Sequence, residues 1–205
     1  MVQRKSKEVK VTVRRWRKSD LDGIFACQRA AYPEFSSDEL CEARHYELQF
    51  KTFPEGQFLA EVDGKIVGYA TSLIVELDQE DLRYRYGEIT GGGTFGTHDP
   101  SGDTLYGADI AVLPGYQGLG IAGQLYKRRK QLVRQLNLKR MVAYGLIPGY
   151  LPYSGKLSPM EYIEKVKAGE LKDTALTAQY KAGYEVKGIL LDFVGDPRSL
   201  NNATF

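Results

Sequence analysis

The sequence predicts an α/β fold in which helices pack on a mixed sheet, and three observations carry this prediction. Residues 9–16 (VKVTVRRW) alternate valines with polar residues, as a half-buried strand does. Two β-rich runs meet at Asp63-Gly64, the sequence of a tight hairpin turn. The apolar run 104–112 leads through glycines into a helix-like stretch. The resulting order of elements, β-α-α-β-β-β-α-β-α-β, is typical of a layered α/β domain.

The remaining elements of the first half follow from capping and turn signals. Ser19-Asp20 offers an N-cap for a first helix, because apolar residues recur behind it at helical spacing. A second helix is predicted from Asp38 toward Phe50, with Ser36 or Ser37 as its cap. Residues 87–103 (GEITGGGTFGTHDPSGD) form a long glycine-rich loop, and loops of this length inside a domain are usually functional or mobile.

The second half is divided by proline, glycine and a capping box. A helix is predicted from Gly120 to about Leu136, and RMVAYGLI (140–147) is predicted to be a strand. Ser158 is followed three residues later by glutamate, with proline at the first helical position, and this spacing predicts a helix start. A short helix at 174–182 and a closing strand at 184–194 complete the chain.

Composition narrows the class of protein. The 205 residues are predicted to form one domain spanning 1–205, with 42% hydrophobic and 26% charged residues. A net charge of +2 gives no support to a nucleic-acid or membrane partner, and no apolar run is long enough for a bilayer. The two cysteines lack CxxC spacing, so neither a disulfide framework nor a metal site is indicated. We therefore expect a reduced, cytoplasmic setting.

The segment 112–126 (VLPGYQGLGIAGQLY) predicts an anion site. It places glycines between a strand and a helix N-terminus, where unpaired N–H groups and the helix dipole favour a phosphate. A P-loop is excluded, because Ile121-Ala122 stand where Lys-Ser/Thr would be required. The string Gly118-x-Gly120-x-x-Gly123 matches a dinucleotide fingerprint, but the acidic residue expected in the next strand is absent from 140–147.

The spacing Val112-x-Pro114-x-x-Gln117-x-x-Gly120-x-Ala122 resembles the acyl-CoA signature of the GNAT superfamily of N-acetyltransferases. The order of elements around it is also similar to that family, as is the ending QYKAGYEV (179–186). The stretch from 125 to 150 resembles acetyltransferase-like modules that stand alone in bacteria or are fused to carbon–nitrogen hydrolases. The resemblance implies a single GNAT-like domain with a mixed, mostly antiparallel central sheet and helices on both faces.

The resemblance also implies acetyl-CoA as co-substrate, with no metal, and a particular set of contacts. The main chain at the end of the signature strand would bind the pantetheine arm, and the loop N–H groups would bind the pyrophosphate. The residues carried over in this way are Ile110, Ala111, Val112, Gln117, Gly118, Leu119, Gly120, Ile121 and Ala122. The basic run 127–130 would reach the 3′-phosphate, or else would be a solvated helix face.

Catalysis would require a base and an acid. The family's base position on the signature strand corresponds to Tyr106, and strand alternation predicts that Asp109 points to the opposite face. Glu88 and His98, in the glycine-rich loop, are further candidates. The family's tyrosine acid corresponds to Gln179 here, which leaves Tyr180, one position away, or water as the proton donor.

Three functions remain open at this stage. The first is transfer of an acetyl group from acetyl-CoA to a primary amine of a small molecule or peptide. The second is a GNAT-like decarboxylase or acyl-loading domain that acts with a carrier protein. The third is an inactive acyl-CoA-binding module. A homodimer is also left open.

Overall fold

A five-stranded mixed sheet organises the protein in a computed structural model that describes residues 9–35, 40–78 and 83–205. Its strands are β1 (Val11–Arg15), β2 (Phe58–Val62), β3 (Lys65–Val75), β4 (Thr104–Val112) and β5 (Arg140–Ala143). They lie in the order β1-β2-β3-β4-β5, and all neighbours are antiparallel except β4 and β5, which are parallel. A small second sheet has the order β6-β8-β7, with strands β6 (Gly145–Leu146), β7 (Ile189–Leu190) and β8 (Ala203–Thr204).

Helices cover both faces of the large sheet, as the resemblance implied. The helices are α1 (Leu21–Ala31), α2 (Ala43–Thr52), α3 (Tyr86–Thr90), α4 (Ile121–Gln135), α5 (Pro159–Lys167) and α6 (Thr174–Lys181). Helices α1 and α2 pack on one face, where Trp16, Tyr46 and Tyr69 form an apolar cluster. Helix α4 packs on the other, where Leu125 and Leu132 join the core. The predicted fold class is confirmed.

The hairpin between β2 and β3 has the turn that its sequence predicts. Val62 pairs with Lys65, so that Asp63-Gly64 alone forms the loop. Both residues have positive φ, 48° and 78°, as the two central residues of a type I′ turn require. Glycine and aspartate tolerate this region of φ/ψ space better than most residues do, which is why this dipeptide was a reliable signal.

Several element boundaries differ from the sequence prediction. The strand predicted at 140–147 is two strands in different sheets, because the chain leaves β4 after Ala143. The closing strand predicted at 184–194 is reduced to β7. The glycine-rich loop begins with the short helix α3, and α2 begins at Ala43 rather than at Asp38. The predicted caps Ser36 and Ser37, like Asp38, lie outside the described residues.

A β-bulge interrupts the pairing of β3 with β4. Ser72 pairs with Gly107 and Thr71 with Asp109, so Ala108 is an extra residue on β4. An extra residue shifts the alternation of side chains by one position. The prediction that Tyr106 and Asp109 point to opposite faces was therefore wrong. Both side chains lie on the same face of the sheet, Asp109 beside Tyr32 and Tyr106 in the cluster that includes Ile89 of α3.

We expect Ser158→Ala to lower the stability of the protein by about 1 kcal/mol, which corresponds to about 2–4 °C in Tm. Ser158 Oγ accepts a hydrogen bond from the Glu161 amide at 3.3 Å, and the Ser158 amide donates to Glu161 Oε2 at 2.7 Å. Thermal unfolding measures the change. Ser154→Ala is the control, because the Ser154 hydroxyl caps no helix N-terminus and makes only an exposed hydrogen bond to the Leu151 carbonyl at 3.0 Å. It should lose less than half as much stability; equal losses would contradict the capping role.

Candidate active site

Strands β4 and β5 separate before β4 ends. They pair only between Thr104–Gly107 and Arg140–Ala143, after which the chain of β5 turns away to β6. The five residues from Ala108 to Val112 therefore have no strand partner on that side among the described residues. The carbonyls of Asp109, Ile110 and Val112 accept hydrogen bonds from Arg129, Tyr32 and Gln117. Main-chain groups of this segment that have no such partner are available to a ligand lying in the gap, which is how an extended molecule adds to a sheet edge. Ile110, Ala111 and Val112 lie on this open edge.

The glycine-rich loop follows directly from the open edge. Residues 117–120 are exposed, and Gly118 and Gly120 have positive φ of 80° and 74°. No atom lies within 4 Å of the position that a Cβ would occupy at either glycine. Helix α4 starts immediately afterwards with no side-chain cap, so the N–H groups of its first turn point into open space.

The remaining loop residues anchor or flank this site. Gln117 Nε2 donates to the carbonyl of Val112 at 3.3 Å and so ties the loop to the end of β4. Ile121 is buried in the core, whereas Leu119 is 44% exposed and Ala122 is half-buried. The sequence-predicted binding residues thus run from the open strand edge through the exposed loop to the helix N-terminus. A helix N-terminus without a side-chain cap favours an anion such as a phosphate.

The basic run 127–130 is mostly committed to contacts within the protein. Arg129 is 1% exposed, and Lys130 Nζ donates to the carbonyl of Ala182. The Arg128 guanidinium lies over the Phe58 ring at 5.9 Å. Lys127 is the exposed member of the run, so it is the side chain that a phosphate at the surface could recruit.

Arg129 connects helix α4 to the bulge in β4. Its Nη2 donates to the carbonyl of Thr71 at 2.6 Å and to the carbonyl of Asp109, and its Nε donates to Ser72 Oγ at 3.0 Å. These residues flank the bulge on both strands. A rigid guanidinium fork can satisfy all three acceptors at once, and it therefore fixes the irregular backbone at this point.

Asp109, next to the bulge, is a functional candidate that the sequence prediction missed, because its side chain was expected on the other face of the sheet. Its Oδ1 accepts a hydrogen bond from the Tyr32 hydroxyl at 2.7 Å, and its Oδ2 accepts one from the Tyr69 hydroxyl. Burial raises the pKa of Asp109, and the two donated hydrogen bonds oppose this rise. The signal that could have revealed it is Gly107-Ala108, because glycine inside a strand often marks a bulge.

Tyr106 lies on the same face as Asp109 but is completely buried. Its ring packs against Tyr144 with centroids 5.4 Å apart, and its hydroxyl has no hydrogen-bond partner within the described part of the chain. Burial raises the pKa of Tyr106 well above its ordinary value, so the hydroxyl stays protonated. Tyr106 can therefore donate a hydrogen bond, but it is unsuited to accept a proton at neutral pH.

Glu88 and His98 are not brought together with Asp109. Glu88 is exposed, and its Oε2 accepts from the Arg85 amide at 2.8 Å as the capping residue of α3. His98 Nδ1 accepts from the Ile74 amide at 3.1 Å, and the imidazole stacks on Phe53 at 4.6 Å. Since Phe53 belongs to the cluster packed against α4, His98 lies on the opposite side of the sheet from Asp109.

The acid position is occupied by an amide, as the sequence indicates. The Gln179 side chain packs against the backbone of Gly145, where no Cβ could be accommodated. The Tyr180 hydroxyl is buried without a hydrogen-bond partner among the described residues, and its ring packs with the cluster of α5. The Tyr184 hydroxyl is also buried and unpartnered within that part of the chain, and its ring meets Tyr126 of α4 at 5.5 Å.

Tyr184 is a second functional candidate that the sequence prediction did not single out. It lines a small cavity together with Gln179, Tyr180 and Ala143, the last residue of β5. The cavity therefore lies where β4 and β5 separate. Burial raises the pKa of Tyr184, while the nearby Arg129 charge lowers it less strongly, so this hydroxyl is protonated at neutral pH.

Two absences hold for residues 9–35, 40–78 and 83–205. No helix in these ranges combines the length and the apolar character that a membrane span needs. In the same ranges, no three histidine, cysteine or acidic side chains converge as ligands for a metal ion.

The fold is an α/β fold in which an open strand edge leads into an exposed glycine-rich loop at a helix N-terminus. Residues 21–146 match the family described as "Acetyltransferase (GNAT) family". The chain therefore belongs to the GNAT family of acetyltransferases.

Two relatives from Bacillus subtilis (strain 168) match almost the whole chain. "Uncharacterized N-acetyltransferase YkwB" is 30% identical over 192 residues, covering 93% of this chain and 85% of the relative. "Probable hydrolase YhcX" is 33% identical over 189 residues, covering 92% of this chain but 36% of the relative. The chain thus spans about a third of that second protein, which fits the resemblance to modules found fused to hydrolases.

Two solved structures share the fold over nearly their full length. The loading GNATL domain of CurA from Lyngbya majuscula superposes with a TM-score of 0.79 at 22% identity, covering 95% of each chain. The GphF GNAT-like decarboxylase in complex with isobutyryl-CoA gives 0.77 at 20% identity, covering 94% of this chain and 96% of the other. At these identities, the likeness establishes the fold alone.

Proposed function

We propose that the protein transfers the acetyl group of acetyl-CoA to a primary amine. The observation that carries this proposal is the continuity of the open edge of β4, from Ala108 to Val112, with the exposed loop at the N-terminus of α4. Membership of the GNAT family supports it, as does the acyl-CoA bound in one of the two structural neighbours.

In this proposal each part of coenzyme A contacts a different stretch of the chain. The backbone N–H groups of residues 117–122 bind the pyrophosphate, since the glycines leave them accessible and the helix dipole favours an anion there. The main chain of Ile110, Ala111 and Val112 binds the pantetheine arm as an added strand. The thioester then reaches the bulge at Ala108, with Asp109 and Tyr106 on the far side of the sheet.

Loss of the thiolate requires a proton donor on the α4 side of the sheet. Tyr180 and Tyr184 line the same cavity, and we assign this role to Tyr184 because its ring contacts Tyr126 of α4, whereas the Tyr180 ring packs toward α5. We therefore expect Tyr184→Phe to lower kcat by about 10²-fold, the lower range for general acid catalysis. Tyr180→Phe is the matched control and should lower kcat less than threefold.

Steady-state kinetics at saturating acetyl-CoA measures both variants, and isothermal titration with CoA checks that each still binds the donor. A large loss of kcat in Tyr180→Phe with normal CoA binding would return the role to Tyr180. If both variants keep the kcat of the wild type, water protonates the thiolate.

Ligand-induced stabilisation tests whether acetyl-CoA is the acyl donor that the protein binds. Acetyl-CoA or CoA at about 100 times its Kd should stabilise the folded state by about 2.7 kcal/mol and raise Tm by about 5–10 °C. NADH and ATP at the same concentrations should shift Tm by less than a third of this. An equal shift with NADH would favour a dinucleotide site instead.

A second candidate function keeps the acyl-CoA but changes the chemistry. Gln179 in place of the family's tyrosine acid favours a decarboxylase or an acyl-loading domain that acts with a carrier protein. Release of CO₂ from malonyl-CoA without an amine distinguishes this function from acetyl transfer. An inactive binding module would bind CoA and release neither thiol nor CO₂.

The cytoplasmic setting and the homodimer stay predictions.

A further inference from the structure

We propose that Arg198 selects an acceptor with an anionic group, a carboxylate or a phosphate, at the end remote from the atom that receives the acetyl group. This proposal rests on the proposed acetyl transfer and adds the charge of the acceptor. Arg198 lies at the surface end of a line of side chains that leads inward to the open edge of β4. It contacts the acceptor away from the reacting atoms, so its role is specificity.

Tyr32, which follows the last residue of α1, is the inner end of this line. Ile110 pairs with Ala70, and the Leu113 amide donates to the Val67 carbonyl. Because hydrogen-bonded and non-hydrogen-bonded pairs alternate along an antiparallel ladder, the Ile110 carbonyl faces the open edge. The Tyr32 hydroxyl lies 3.2 Å from that carbonyl oxygen. Tyr32 therefore touches the strand edge on which the acyl donor is proposed to lie.

Phe35 and Arg198 continue the line from Tyr32 to the surface. The Phe35 ring meets the Tyr32 ring edge-on, with centroids 5.4 Å apart. Cζ of Arg198 lies 5.7 Å from the centroid of the Phe35 ring, and the Arg198 side chain is 37% exposed. Two successive ring contacts thus connect a solvent-accessible cation with the open strand edge.

The turn at 196–201 fixes the orientation of the Arg198 side chain. Asp196 is fully buried, and its Oδ1 accepts a hydrogen bond from Arg198 Nε at 3.0 Å, while its Oδ2 accepts one from the Ser199 hydroxyl. The Arg198 carbonyl accepts the Leu151 amide at 2.9 Å, which anchors the turn to the loop after β6. A side chain that is already held in place loses less conformational freedom when it binds a ligand.

The terminal nitrogens of Arg198 remain for a ligand. Asp196 engages Nε, and neither Nη1 nor Nη2 has a hydrogen-bond acceptor within residues 9–35, 40–78 and 83–205. The N–H groups of a guanidinium match the paired oxygens of a carboxylate or a phosphate. Phe35 covers part of the guanidinium, and shielding from water strengthens its attraction for an anion.

The preference for an anionic acceptor is measured with matched pairs at saturating acetyl-CoA. One pair is 6-aminohexanoate and its neutral amide, 6-aminohexanamide; the other is 5-aminopentyl phosphate and 5-aminopentan-1-ol. We expect kcat/KM to be at least tenfold higher for the anion in at least one pair, within the range for a hydrogen bond to a charged group. The difference should lie in KM, because this contact is the same in the ground state and the transition state. n-Pentylamine, which is 6-aminohexanoate without its carboxylate, should be acetylated with a high KM.

Arg198→Gln should lower this preference to less than threefold and leave kcat/KM for the neutral acceptors within threefold of wild type. Arg134→Gln is the matched control, because Arg134 is an exposed arginine in the last turn of α4. It should keep the full preference. Glu34→Gln removes a negative charge from the residue next to Phe35, where Glu34 is exposed, and should keep or increase the preference.

A binding measurement separates this proposal from the proposed function, because it needs no turnover. Isothermal titration of the CoA-bound protein compares 6-acetamidohexanoate with 6-acetamidohexanamide, and 5-acetamidopentyl phosphate with 5-acetamidopentan-1-ol. In at least one pair, wild type should bind the anion at least tenfold more tightly, and Arg198→Gln should bind both members equally. This result without turnover of any amine would refute acetyl transfer and leave the Arg198 site standing.

Equal kcat/KM within both pairs of acceptors in the wild type would overturn the proposal and leave acetyl transfer standing. A preference that persists in Arg198→Gln would overturn it as well. If thermal unfolding shows that Arg198→Gln does not fold, Phe35→Ala decides, because it removes the ring that packs on the guanidinium. The preference should then fall at least threefold, and an unchanged preference would contradict the role of Arg198.

Discussion

Gly120→Asp will weaken CoA binding at least 100-fold, about 2.7 kcal/mol, and leave the fold intact. Gly120 is exposed, and an added Cβ would meet no atom within 4 Å, so the folded protein has room for a side chain. The carboxylate would occupy the place where the pyrophosphate meets the start of α4 and would reverse the local charge. Isothermal titration with CoA measures the loss, and thermal unfolding without ligand checks the fold.

Gly120→Asn is the matched control for this substitution. Asparagine has the same shape as aspartate without the charge, and it tolerates the positive φ of 74° at this position. We expect it to weaken CoA binding no more than about tenfold. If both variants bind CoA within a few-fold of wild type, the phosphate does not lie at this helix terminus.

Arg129→Met will lower the stability of the protein by about 3–5 kcal/mol, which corresponds to a fall in Tm of about 6–20 °C. The Arg129 guanidinium is 1% exposed and donates to the carbonyls of Thr71 and Asp109 and to Ser72 Oγ. Methionine fills a similar volume but leaves these acceptors without donors, and each unsatisfied buried group costs about 1–3 kcal/mol.

Arg129→Lys tests whether Arg129 stabilises the protein through the several donors of its guanidinium or through its positive charge. Lysine restores a positive charge but has a single donor atom, so we expect it to recover less than half of the loss. Urea unfolding of the three proteins gives the free energies. A loss below about 1 kcal/mol in Arg129→Met would show that the bulge holds its shape without the guanidinium.

The sequence predicted the elements with strong local signals. The hairpin at Asp63-Gly64, the capping box at Ser158 and helix α4 after the glycine-rich loop are all present where expected. Each of these depends on interactions within a few residues, such as a turn that needs positive φ or a side chain that caps a nearby amide. Such local interactions do not depend on the long-range contacts that the rest of the chain makes.

The candidate site could be predicted only in part, because its chemistry depends on long-range pairing. The glycine-rich loop is local, and its residues lie before the N-terminus of α4, as the sequence predicted. The face of the sheet on which the Asp109 side chain lies depends on a bulge in the pairing of β3 with β4. The alternation of residues in β4 alone does not show which residue is the extra one. In the same way, the separation of β4 from β5 depends on where the chain after Ala143 finds a new partner.

The loop candidates illustrate the same limit. Glu88 and His98 are chemically suited to catalysis, but their nearest partners are backbone amides of Arg85 and Ile74. A glutamate at the third position of a short helix caps that helix, and an imidazole beside a strand amide accepts its hydrogen bond. Residue type indicated which groups could react, whereas tertiary packing decided which of them reach the gap in the sheet.

The most direct test of acetyl transfer is mass spectrometry of the products formed from acetyl-CoA and n-pentylamine, with free thiol measured in the same reaction. The account predicts N-acetylpentylamine and CoA thiol in a one-to-one ratio, with neither formed by Gly120→Asp at the same donor concentration. Thiol release that is independent of the amine, or CO₂ from malonyl-CoA with no acetylated amine from acetyl-CoA, would contradict it.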